Sequence, residues 1–306
     1  MPRPRWFVLG FVCTAALAAA QPATDLDALM ARALQRREVN RAVLGDYILD
    51  ETETFELLGP GRTPLKRSER EFTWFVRDGI HVRSPLRADG VPVAESERRT
   101  YEDHWFHEEQ TRRARRAEKA QAREAEGKPA ATLAAINEPR FLSESYFLDF
   151  HFEPGNYFLA GREALDGHDV YRVEYYPTRM FSDDEDEPKK DESDREQKME
   201  SEIERKMNKT ALVTLWVDPA EQQIVKFTFD NMWMDFLPGG WAVRVDDISA
   251  SMEMGQPFPN VWLPRNLSAH GAVTLANGTY AITYGRRFSN YRLADVKTRI
   301  LKKDPR

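Results

Sequence analysis

The sequence predicts an α+β protein, an antiparallel sheet of about ten or eleven strands with three or four helices on one face. Three observations predict it. Most of the chain alternates apolar and polar residues with period two, as a strand with one wet face does. Helical periodicity is confined to one segment before the strands and one excursion between them. There is no alternation of strand and helix, which excludes a doubly wound parallel sheet. The 306 residues are 41% hydrophobic and 31% charged, enough apolar material for a sizeable core in one domain over 21–306.

Residues 1–20 read as a signal peptide. Arg3 and Arg5 make a basic start, Trp6 to Leu17 is mostly apolar, and Ala18-Ala19-Ala20 suits signal peptidase. Cleavage there removes two arginines and takes the net charge from -6 to -8. Cys13, the only cysteine, lies inside this leader, and Phe11 and Val12 before it do not suit a lipoprotein signal. The mature chain is therefore expected to hold no disulfide, no thiolate metal site and no cysteine nucleophile. Its acidic balance argues against a nucleic-acid partner. No internal stretch approaches the roughly 20 apolar residues of a membrane span.

Thr24 to Leu44 is amphipathic, with Leu26, Leu29, Met30, Ala33 and Leu34 on the 3.6 period and Gly45 at its end. Period two follows, through Tyr47, Leu49 and Phe55, the Gly59-Pro60-Gly61 turn, and Phe72, Trp74 and Val76 up to Asp78-Gly79: a long hairpin. A charged helical excursion spans 95–150. Its first part, to Glu126, is pinned only by Tyr101, Trp105 and Phe106, with Glu108–Arg112 and Glu109–Arg113 as i,i+4 pairs. Its second part, Ala131 to Phe150, is interrupted by Pro139. Val170 to Tyr176 returns to a strand. Residues 182–207 form an acidic insert, read as a frayed or disordered loop; the span 182–206 holds 12 acids and 6 bases. The insert lacks the ordered spacing of a calcium loop. Strands then run from Thr210 through Ile224, Trp241, Ile248, Leu263, Val273 and Tyr280, with Asn277-Gly278 as a hairpin turn.

Known chemical motifs are absent. No phosphate-binding loop, dinucleotide fingerprint or nucleophile elbow occurs, and no cofactor is expected. His104 and His107 are i,i+3 on a charged helix; they miss the H-E-x-x-H spacing and read as surface histidines, with a metal-dependent hydrolase as the remote alternative. Arg112, Arg113, Arg115 and Arg116 could meet anionic headgroups, but lie among glutamates and read as a solvated face. The positive signal is apolar material on both faces of some strands: Trp74 beside Phe75, Val170 beside Tyr171, Leu215 beside Trp216, Trp241 beside Ala242. Either the sheet is covered on both sides, or one face packs on helices and the other lines a cavity.

Two stretches resemble the LolA/LolB superfamily of periplasmic lipoprotein carriers. One is Gly161 to Pro177, a hairpin around Asp166-Gly167 leading into a Tyr/Val strand; the other is Leu215 to Phe229, a Trp-Val-Asp-Pro turn followed by a strand with Val225-Lys226. The resemblance implies a strongly curved antiparallel sheet, an incomplete β-barrel, with helices packed on its concave face and acyl chains between. It implies a non-enzymatic carrier of a lipid or of a lipoprotein's acyl chain in the periplasm of a Gram-negative bacterium, or peripheral to its outer membrane. The expected ligand-binding residues are Trp74, Val76, Tyr171, Val173, Trp216, Phe227, Phe229, Trp241 and Val243, all as apolar contacts; one register step would exchange the whole set. The alternative is a cell-envelope scaffold that docks a protein partner through the 95–127 helix.

Overall fold

The computed structural model describes residues 25–125, 127, 138, 140, 156–176, 212–230 and 243–294, without the side chains of 243–247. The leader, the Ala131–Phe150 stretch, the acidic insert and Trp241 lie outside the described residues. Among these residues, two α-helices, one short 3-10 turn (Pro60–Arg62) and eleven strands are present: α1 (Asp25–Leu44), β1 (Tyr47–Gly59), β2 (Thr63–Arg77), β3 (Ile80–Ala88), β4 (Val91–Pro92), α2 (Glu95–Ala125), β5 (Tyr157–Leu165), β6 (His168–Tyr175), β7 (Leu212–Asp218), β8 (Gln223–Asp230), β9 (Val243–Phe258), β10 (Val261–Leu275) and β11 (Gly278–Leu293).

The strands form one antiparallel sheet in the order β4-β3-β2-β1-β11-β10-β9-β8-β7-β6-β5. It is open, with β4 and β5 at its edges. Three Asp-Gly pairs make its tight turns: Asp78-Gly79, Asp89-Gly90 and Asp166-Gly167 all have positive φ at both residues, as type I′ turns require. At the β10–β11 turn the loop residues are Ala276 and Asn277, and Gly278 opens β11. A Cβ on Gly278 would stand 2.7 Å from the Pro60 ring, so the tips of two hairpins touch there. Tyr47 on β1 stacks on Phe258 of β9, with ring centroids 5.4 Å apart, although two strands lie between them. In a flat sheet those strands would be roughly 14 Å apart, so the sheet coils around this end.

Both helices lie on the same face. The buried stripe of α1 (Leu29, Met30, Ala33, Arg37, Asn40, Leu44) follows the helical period and packs against β8 and β10. Asn40 closes it by donating to Gln223 Oε1 at 2.6 Å. The opening turns of α2 cover β3, where Trp105 Nε1 donates to the His81 carbonyl at 3.1 Å and the Trp105 ring meets Trp74 edge-on. Glu138 ties the helices together: its carboxylate takes two bonds from Arg41, and its carbonyl accepts from Arg112. The pairing on α2 departs from the sequence reading. Glu109 is buried and pairs with Arg112 and Arg140, not with Arg113. No described helix is long and apolar enough to cross a membrane.

Candidate functional site

Cross-strand partners share a face, so each face can be followed from strand to strand. Val173, Leu215, Phe227, Met252, Leu267, Arg286, Glu53 and Arg70 are successive partners from β6 to β2. This row faces the helices. It is apolar from β6 to β10 and charged from β11 to β2. The adjacent row on the outer face runs Arg172, Trp216, Lys226, Glu253, Asn266, Arg287, Thr52. The outer face is polar along this span except at Trp216.

The residues expected to bind a ligand fall into different environments. Trp74, Val173, Phe227 and Phe229 are buried in the core beneath the helices. Tyr171 shares the face of Val173 and is partly buried, with the Arg162 guanidinium 4.7 Å from its ring. Val76 is half-buried opposite His81. Trp216 is on the other face. Its neighbours are Arg172 and Lys226, its indole N–H donates to Glu163, and the Lys226 ammonium lies 5.3 Å from its ring. Period two makes this unavoidable, since Leu215 and Val217 take the inner positions. The doubling of apolar residues at Leu215-Trp216 thus reflects an indole packed among outer-face side chains. Val243 opens β9, with its side chain outside the description.

The sequence reading did not anticipate a charged cluster on the helix-bearing face. Glu51 side-chain oxygens accept from Trp74 Nε1 (2.8 Å), Arg83 Nη2 (2.5 Å) and Arg286 Nε (2.8 Å). Glu53 accepts from Arg83 Nη2 (2.8 Å), from Arg70 and from the Tyr284 hydroxyl (3.1 Å). Glu51, Glu53, Arg83 and Arg286 are all buried. Burial pushes the Glu51 carboxyl up, but Arg286 and Arg83 outweigh it and hold it below the usual carboxylate range. Burial likewise opposes ionisation of Glu53, and Arg83 and Arg70 overcome it. Burial, then Glu53, pushes the Tyr284 hydroxyl well above its ordinary value. A carboxylate held ionised by two guanidiniums is a poor proton acceptor, so this cluster orders the face and does not shuttle protons.

Beyond the cluster, the same face turns apolar again and loses its cover. Glu53 is followed on β1 by Phe55 and Leu57; Arg286 is preceded on β11 by Tyr284, Ile282 and Tyr280. Leu57 pairs with Ile282, Ile282 with Gly271, Gly271 with Ile248, and Tyr280 with Val273. Ile282 is 42% exposed, and Phe55, Leu57, Ile248, Val273 and Tyr280 are half-buried. The causes are length and placement. Helix α1, at 20 residues, spans about 30 Å, whereas the 16-residue strands β9 and β11 span roughly 50 Å, and the longer α2 lies over β3. The two described helices cover one end of the long strands and leave an apolar strip at the other. The alternation of Tyr280, Ile282 and Tyr284 is visible in the sequence; the reach of the helices is not.

His104 and His107 are not joined by a third potential ligand among the described residues. His104 Nε2 lies 3.2 Å from Glu108, and His107 Nδ1 contacts the Asp103 carbonyl at 2.7 Å, both on the exposed side of α2. Among the described residues, the group with ligand atoms close enough to share an ion is His168, Asp218 and Glu221.

No family model matches the chain, and no curated protein matches it. Among solved structures it is similar to a DUF1329 family protein from Desulfovibrio piger, at 12% identity and a TM-score of 0.31, over 88% of this chain and 93% of that one. It is similar as well to MucB, solved in complex with MucA(peri), at 9% identity and a TM-score of 0.18, over 89% and 99% of the two chains. At these values the likeness carries no argument about fold or activity.

Proposed function

We propose that the chain is an exported, non-enzymatic binding protein of the periplasm that holds an apolar chain, such as a lipid or lipoprotein acyl group, along the strip of Phe55, Leu57, Val273, Tyr280 and Ile282. The observation that carries this reading is the exposure of that strip on the face where the helices and core lie. Each Å² of apolar surface removed from water there is worth about 25 cal/mol. The resemblance to lipoprotein carriers supports it, with the ligand moved from the helix-covered core to the uncovered ends of the strands. The test is displacement of a fluorescent fatty-acid probe, with native mass spectrometry of protein taken from cells. Ile282→Glu places a charge at a side chain that is 42% exposed and should leave the fold intact, yet should weaken probe binding at least tenfold, because an acyl chain would desolvate the carboxylate. Trp216→Ala, on the outer face, should leave binding unchanged. A wild-type protein that never retains lipid or probe overturns the acyl reading.

A second reading is favoured by one observation. Edge strand β5 exposes Phe158 and Leu159, and Tyr176 packs edge-on against Phe158. Such an edge suits strand addition by a protein partner in the envelope. Retention of a co-purifying protein that alanines at Phe158 and Leu159 abolish would support it.

A further inference from the structure

We propose that His168, Asp218 and Glu221 form a binding site for one divalent first-row transition ion, with Zn²⁺ the best fit. The three residues come from the start of β6, the end of β7 and the β7–β8 turn, and one ligand atom of each lies within 4.8 Å of the others. The cluster sits beside the outer face, away from the apolar strip and from the charged cluster under the helices, so it stands independently of the acyl reading.

Its geometry is organised around Asp218. Asp218 Oδ1 accepts the backbone N–H groups of Ala220 and Glu221 at 2.8 and 3.0 Å, which fixes the carboxylate and the turn together. That leaves Oδ2 directed at His168 Nδ1, 2.8 Å away. Asp218 is nearly fully buried, whereas His168 is about one-third exposed. Glu221 is oriented by a separate group: Trp262 Nε1 donates to its Oε2 at 2.6 Å, and the Trp262 ring meets the His168 ring edge-on at 5.3 Å. An indole that braces one ligand and packs on another does what outer partners do in metal sites, fixing ligand orientation before the ion arrives. A pocket of about 300 Å³ borders the cluster on its His168–Trp262 side, and Gln256 and Arg265 also line it. Water or a small ligand can reach a fourth coordination position from there.

The donor set selects the class of ion. One imidazole and two carboxylates suit Zn²⁺ and its neighbours; Ca²⁺ needs six to eight oxygens, and Mg²⁺ prefers water and oxygen. Tetrahedral ligands about 2.1 Å from an ion stand about 3.4 Å apart. The His168–Asp218 contact must therefore open by about 0.6 Å, and the imidazole binds as its neutral form, with the Nδ1 lone pair on the ion and the ring proton carried on Nε2. The exposed side of the imidazole allows this movement.

The experiment uses the untagged mature chain, stripped with chelator and titrated with ZnCl₂ by calorimetry, with metal content measured after dialysis. Wild type should take up one Zn²⁺ per chain and melt at a higher temperature with Zn²⁺ than with EDTA. Glu221→Gln keeps an acceptor for Trp262 and so should fold normally, but should weaken binding at least tenfold and abolish the thermal shift. His168→Ala should do the same, and His104→Ala with His107→Ala should change nothing. If His168→Ala fails to fold, Glu221→Gln alone decides. Absence of stoichiometric uptake by wild type, or uptake that persists undiminished in Glu221→Gln, overturns the proposal.

Discussion

Glu51 is the side chain on which the helix-bearing face turns from apolar to charged. It receives Trp74, Arg83 and Arg286 from three other strands. Removing its charge takes a shared carboxylate from Arg286 and Arg83, although Arg83 keeps Glu53, so Glu51→Gln should cost about 3 kcal/mol in chemical denaturation, the lower end of what breaking a buried pair costs. Glu51→Gln with Arg286→Ala should cost less than the sum of the two single losses, because both remove the same ion pair. His81 sets the acid limit. Burial first, then the Arg113 charge, lowers its pKa from 6.5 to about 4, although the Tyr47 backbone pulls the other way. The folded state thus refuses a proton that the unfolded chain accepts below about pH 6.5. Stability from this residue is complete above that pH and declines as pH falls toward 4, by about 1.4 kcal/mol per unit at most. Glu51 and Glu53, whose carboxyls are held low, add a loss at still lower pH. His81→Gln should flatten the melting temperature between pH 6.5 and 4 while leaving the steeper loss below it.

The two helices differ in what holds them. Helix α1 has a buried stripe that is apolar at Leu29, Met30, Ala33 and Leu44 and polar at Arg37 and Asn40, and its bounds were legible from periodicity and Gly45. Helix α2 has 31 residues, of which Trp105, Phe106, Glu109 and Ala120 are buried. Trp105→Ala removes both the ring against Trp74 and the indole bond to the edge of β3. It should cost about 3–5 kcal/mol, whereas Trp216→Ala on the outer face should cost far less, since its surroundings are solvated. The same contrast shows what the sequence carried. Strands, turns and their order follow from alternation and from Asp-Gly pairs, which are local. Which of two adjacent apolar residues faces the core follows from register, and Leu215 prevailed over Trp216 because β6 and β8 present Val173 and Phe227 on that side. The charged cluster was not legible: Glu51 and Glu53 look like ordinary polar positions until β3 and β11 bring Arg83 and Arg286 beside them. Nor was the His168 group, in which His168 lies 50 positions before Asp218 along the chain.

For the whole molecule, the sheet explains why a long acidic segment between β6 and β7 can be tolerated. β6 and β7 pair directly, from Tyr171 with Val217 to Tyr175 with Val213, so whatever joins them only closes a loop. Closure entropy grows slowly with length. Replacing residues 183–206 with a short Gly/Ser linker should leave the melting temperature within a few degrees, and a large drop would mean that the segment packs on the core.

Strand order has one more consequence. Every ladder in the sheet joins strands that are neighbours in sequence, except that of β1 with β11. The chain is therefore two meanders, β1–β4 with both helices and β5–β11, joined by one strand ladder whose ionic stitches are Glu51–Arg286 and its companions and by α1 resting on β8 and β10. Such a molecule is divisible. Cut after Gly127 and produced as two pieces, it should reassemble by complementation, each piece supplying the template that the other lacks. Arg286→Ala should slow or prevent that reunion more than it harms either piece alone, a difference readable in the concentration at which the mixed fragments regain a cooperative melt.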